Sequence, residues 1–172
     1  MNRIRLFPAG ALFGLLFLMG CYTSPVPIAP LDEAPRIGGL AGEWIGLRIG
    51  EDAPDEAPPV MTISTRDSIQ FSIVVISINL EGEQETYRFQ AYATQLAGDY
   101  FGNLKIITEG KDEYLIVRFA FSDDRTLRAE LVTDDLMKDI PTTSAALRAF
   151  LLRNAGNSAL YEDDVMYFAR QE

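Results

Sequence analysis

Carboxylates are the commonest groups here that can do chemistry, and three adjacent pairs stand out: Asp123-Asp124, Asp134-Asp135 and Asp163-Asp164. Such pairs can supply oxygen ligands to a hard cation. None has EF-hand spacing with its central glycine and terminal glutamate, so they read as solvated turns. Glycoside hydrolysis needs an acid and a base about 5–9 Å apart across a cleft, and no spacing here specifies such a pair. The chain has no histidine, which removes Ser-His-Asp relays and imidazole metal sites. Serines occur without G-x-S-x-G or S-x-x-K. Gly98-Asp99-Tyr100-Phe101-Gly102 lacks the Lys-Ser/Thr of a phosphate loop and reads as a turn. Arg118 shares a strand face with Tyr114, Ile116 and Ala120; it can orient an anionic ligand or sit in a surface ion pair. No catalytic residue, metal site or cofactor is expected, and the chain does not read as an enzyme.

The remaining reactive group is the thiol of Cys21, the single cysteine. Ahead of it lie Arg3 and Arg5, then an uncharged run from Leu6 to Leu31 whose strongly apolar part is Ala11–Met19 with Leu6–Phe7. A bilayer-crossing helix needs about 20 apolar residues, so this shorter stretch reads as the h-region of an export signal. The block ends Leu18-Met19-Gly20-Cys21, which resembles the lipobox of bacterial lipoproteins. Leu18 and Gly20 fit that pattern, and Met19 stands where Ala, Ser or Thr is usual. The resemblance implies cleavage between Gly20 and Cys21 by a type II signal peptidase. It also implies a diacylglyceryl thioether on Cys21 and a palmitate-type acyl group on its amine. Each buried methylene contributes about 0.8 kcal/mol, so two or three chains anchor stably where one does not. Tyr22 follows, where Asp would be the inner-membrane retention mark. The implied location is the cell envelope, at the outer membrane facing the periplasm if the organism has two membranes.

Removing residues 1–20 from the 172 leaves 152, enough for one domain with a real core. The chain carries 15 basic and 25 acidic residues; losing Arg3 and Arg5 leaves 13 against 25, a net of −12. That charge excludes nucleic acid as a natural partner and disfavours anionic headgroups. A hydrophobic content of 48% and a mean hydropathy of +0.03 exclude disorder for the body of the chain. A lone cysteine excludes an internal disulfide.

Stepping along the chain, Pro25, Pro27, Pro30 and Pro35 punctuate a stretch with few large side chains. Fixed φ angles and missing donors predict an extended, semi-rigid tether over 21–39, with a packed arm as the alternative for its last residues. From residue 40 the pattern is β. Strands are predicted at Gly42–Ile49, Val60–Thr65, Ile69–Asn79, Glu85–Tyr92, Tyr100–Thr108, Glu113–Phe121 and Thr126–Val132, joined by polar turns. Within Ile69–Asn79 the apolar phase shifts, which predicts a bulge or burial on both faces. Thr142, Thr143 and Ser144 offer hydroxyl caps to a helix with Leu147, Phe150 and Leu151 on one face, Arg153 in its last turn and Gly156 after it. A last strand follows at Asp163–Arg170. Roughly eight antiparallel strands in up-and-down order leave two bare edges unless the sheet closes, so residues 40–172 are predicted to form a mainly β barrel. Its one α-helix precedes the last strand and lies over an open end or the outer wall.

Gly42 and Trp44 open the first strand as G-x-W, which resembles the signature of lipocalins and the wider calycin group. That resemblance implies a lipocalin-like barrel whose closed end is plugged by Trp44, with a late arginine, here Arg170, against its face. The helix stands before the last strand, unlike the lipocalin arrangement, and other lipocalin motifs are not recognisable. The 10 Phe and 7 Tyr suit a barrel core. From strand alternation Tyr87, Phe89, Leu115, Val117, Phe119 and Leu127 are candidates to line a cavity. The function expected first is non-catalytic binding of a small apolar or amphipathic ligand by a barrel held to a bilayer through acylated Cys21. A protein-interaction module is the alternative: an envelope assembly factor or an inhibitor of a basic envelope enzyme. The net charge and the acidic stretch Glu51–Glu56 suggest it.

Overall fold

A computed structural model describes residues 22–47, 57–79, 82–107, 112–137, 139–163 and 165–171. The leader, Gly20 and Cys21 lie outside the described residues, as does the acidic stretch 51–56. The strands are β1 (Thr23–Ser24), β2 (Gly42–Leu47), β3 (Val60–Thr65), β4 (Gln70–Ile78), β5 (Gln84–Leu96), β6 (Asp99–Ile106), β7 (Tyr114–Asp123), β8 (Thr126–Leu131) and β9 (Met166–Arg170). Helix α1 (Ser144–Asn154) stands between β8 and β9.

From β2 to β9 every strand pairs antiparallel with the next, and β9 returns to β2 through Trp44↔Arg170 to Leu47↔Tyr167. The result is a closed eight-stranded up-and-down barrel, as the meander pattern predicts, with no free edge along β2 or β9. One end, where β2 begins and β9 finishes, carries Trp44. At the other end β2 finishes and β3 begins.

The strands differ from the predicted ones where burial overrides alternation. β5 runs 13 residues, past Tyr92 to Leu96, because Ala93 faces inward while Thr94 and Leu96 are buried beneath outer elements. In β4 the register with β5 is continuous from Gln70↔Tyr92 to Ile78↔Gln84, so there is no bulge. Phe71 and Ile73 point into the core, and Val74, Ile76 and Ile78 are half-buried on the outer face. The described irregularity lies instead between Phe121 and Asp123 in the β7–β8 pairing.

Two apolar cores result. The inner one fills the barrel around Trp44, Phe71, Phe89 and Phe168. The outer one lies between the wall and α1, where Leu147 and Leu151 are fully buried with Phe101 and Ile116. Thr143 caps the helix by accepting the Ala146 N–H at 3.2 Å. The helix therefore covers the outer wall.

Residues 22–29 differ from the predicted spacer. β1 pairs with β7 (Thr23↔Leu115, Ser24↔Tyr114), occupying the edge that β8 leaves when its pairing ends at Val117↔Leu131. Tyr22, Ser24, Ile28 and Ala29 are buried. The Ile28 N–H donates to Asn103 Oδ1 at 2.7 Å, and the Tyr92 hydroxyl donates to the Ala29 carbonyl at 2.6 Å. The prolines shape an arm bound to the wall.

A candidate ligand cavity

The closed end is built around Trp44. Its indole is fully buried, and its N–H donates to the Leu40 carbonyl at 2.9 Å. Arg170 lies opposite it in the β2–β9 register, with the guanidinium carbon 5.1 Å from the indole centroid. The same guanidinium donates to the carbonyls of Gly39 at 2.7 Å and Ala41 at 2.5 Å. It thereby ties the incoming chain over the plug. Gly42 is needed there: its φ is +148°, and a Cβ would stand 3.2 Å from Arg170 Nε.

Above this plug the bore holds a cavity of about 110 Å³ whose lining is entirely apolar. Phe89, Leu115, Val117, Phe119 and Leu127 line it, together with side chains from β3, β4 and β9. Tyr87 lies outside the lining and packs on the inner core nearer the mouth. The space exists because inner positions are small. Ala93 stands opposite Gly102 in the β5–β6 register, and Ala91 and Ala129 also face the cavity. Alternation alone points to the large residues on a face; finding the small ones side by side requires the register between strands.

The mouth is polar on one side. Val75, in the upper lining, pairs with Tyr87, and the next inward pair is Ser77↔Glu85. The Tyr87 hydroxyl donates to Glu85 Oε2 at 2.5 Å, and Asn79 Nδ2 approaches Glu85 Oε1 at 3.4 Å. Burial first, then the neighbouring Glu85, pushes the Tyr87 hydroxyl up to about 12.

Arg118 points away from the bore. It meets Glu130 through Nε at 2.7 Å and Nη2 at 2.6 Å, and lies 3.7 Å over the Tyr161 ring. It locks the end of α1 to the wall instead of reaching a ligand. Asp123 accepts the Arg125 N–H at 2.8 Å, a bond that holds its carboxyl below the ordinary carboxylate value. Among the described residues no group of three Cys, Asp or Glu could hold a metal ion. Comparison with family models, with curated proteins and with solved structures finds no match to this chain.

Proposed function

We propose that this protein is a lipid-anchored barrel of the cell envelope that binds a small apolar or amphipathic molecule without transforming it. The observation that carries the binding half is the apolar cavity of about 110 Å³ inside the closed barrel. An engineered apolar cavity of about 150 Å³ stays dry and takes up benzene, so this one suits a single ring or a short alkyl segment. Support for the anchor comes from the leader and Leu18-Met19-Gly20-Cys21. The experiment is native mass spectrometry of the full chain, expressed in a didermal bacterium and extracted from the envelope with detergent. A chain beginning at Cys21 with added acyl mass, and a further small mass that leaves on unfolding, are expected. An unmodified chain retaining residues 1–20 removes the anchor; no co-purifying mass and no uptake of added hexanol removes the ligand.

A second reading, a module that docks a basic protein, draws on the excess of acidic residues, 25 against 15. Charge attraction of that kind weakens with salt.

A further inference from the structure

The cavity accounts for the apolar part of a ligand and leaves its polar part unassigned. Strand register supplies the missing piece. Inward positions of β4 run Phe71, Ile73, Val75 and Ser77, and those of β5 run Phe89, Tyr87 and Glu85 as the mouth is approached. The lining ends at Val75 on β4 and Phe89 on β5. Two residues along a strand span about 6.6 Å, so Ser77 and Glu85 stand about that far beyond the lining level marked by Val75. A molecule with an apolar end in the cavity and a polar end one short chain away reaches the level of Ser77 and Glu85.

Glu85 is suited to receive a positive charge. Its carboxylate is half-buried and accepts from Tyr87 and Asn79, and a carboxylate has about four acceptor sites, so capacity remains. Among the described residues no Lys or Arg pairs with it. The described stretches joining strands at this end carry Glu83, Asp112, Glu113, Asp134, Asp135, Asp139, Glu162 and Asp163 against Arg148 and Arg153. Lys105, near the end of β6, is tied to Asp112 at 2.6 Å. Among these described residues acid outnumbers base, a balance that favours a cation over an anion. A fatty-acid-like carboxylate would bring a second negative charge beside Glu85 in a partly desolvated site.

We infer that the ligand class of this cavity is a small cationic amphiphile, an ammonium or guanidinium group on a ring or short alkyl body, with Glu85 as the residue that receives its charge. Tyr87 and Asn79 position that carboxylate. This rests on the cavity reading above and adds the head-group chemistry to it.

Calorimetric titration of the full chain with hexylammonium, hexanol and hexanoate tests it, repeated on Glu85→Gln and Tyr87→Phe. Hexylammonium is expected to bind at least tenfold tighter than hexanol, and hexanoate weakest of the three. Glu85→Gln is expected to bring the ammonium-to-alcohol ratio to about one. Tyr87→Phe keeps the preference for ammonium in reduced form. Equal affinity for hexylammonium and hexanol in the native chain, or an unchanged ratio in Glu85→Gln, overturns the head-group assignment alone. Failure of all three probes to bind overturns the cavity reading as well. A circular-dichroism melt of each variant separates lost binding from lost folding.

Discussion

Arg170 does two jobs with one guanidinium, and the backbone of Gly42 is shaped to let it. A cation over an indole contributes about 0.5–2 kcal/mol depending on desolvation. The two carbonyls it satisfies, on Gly39 and Ala41, bind the arm's last residues to the end of β9. Arg170→Met keeps an apolar stem and removes every donor, so a loss of about 1–3 kcal/mol is expected in urea unfolding. Gly42→Ala should cost a similar amount, about 1–3 kcal/mol, from a backbone conformation that side chains rarely adopt. It also meets Arg170 Nε, 3.2 Å from the new Cβ. The steric part eases when Arg170 is already Met, whose side chain ends at the ε position and is not pinned there by the two carbonyls, whereas the backbone part remains. The double variant should therefore be less destabilised than the sum of the singles, and strict additivity would show that the two residues do not press on each other.

At the scale of elements, the arm and α1 are held to the barrel by a seam rich in tyrosine. Tyr22 and Tyr161 belong to the outer core, and Tyr92 reaches the arm through its hydroxyl. Burial is the first cause raising the pKa of all three above the ordinary tyrosine value. The folded chain thus holds these protons more tightly than the unfolded one. Stability is full below about pH 10, the unfolded tyrosine value, and falls as pH rises through the elevated folded values. Alkaline titration followed by tyrosinate absorbance and by limited proteolysis should show the arm released with the ionising tyrosines. Retention of protease resistance after these groups have ionised would contradict it. This seam is also where the sequence is least informative. The helix is legible from its hydroxyl caps and from Leu147, Phe150 and Leu151. The arm is not: Thr23 and Ser24 form a strand only because β8 vacates the edge of β7, and Asn103 receives Ile28 across 75 positions of chain. No local pattern records either event.

The described residues form a closed cylinder with one plugged end and an apolar bore, and each part is differently visible in the sequence. Closure follows from eight alternating strands with edges to hide, which is why the barrel was predictable from pattern. The plug is legible only through the resemblance that Gly42 and Trp44 carry, which also implies a late arginine, and Arg170 fits it by standing at the end of the last strand. Five of the six candidate lining residues face the cavity because they alternate on single strands; Tyr87 falls nearer the mouth because alternation fixes a face and not a depth. The hole itself was hidden, since it depends on Ala91, Ala93, Gly102 and Ala129 meeting inside the bore, and small side chains carry almost no hydropathic signal. Filling it decides whether it is a binding site or a packing defect. Ala129 stands opposite Phe119 on β7 and Met166 on β9 and lines the cavity, so Ala129→Leu adds apolar volume there without a new polar group. If the space is merely unfilled, the variant gains about 0.5–2 kcal/mol, as other cavity-filling changes do, and the native chain has no bound small molecule to lose. If it is a site, the same variant remains folded and near native stability but loses hexanol uptake and the co-purifying mass together. Glu85→Gln, by contrast, is expected to abolish the preference for ammonium over alcohol without abolishing uptake, so the two substitutions separate the role of the bore from that of its mouth.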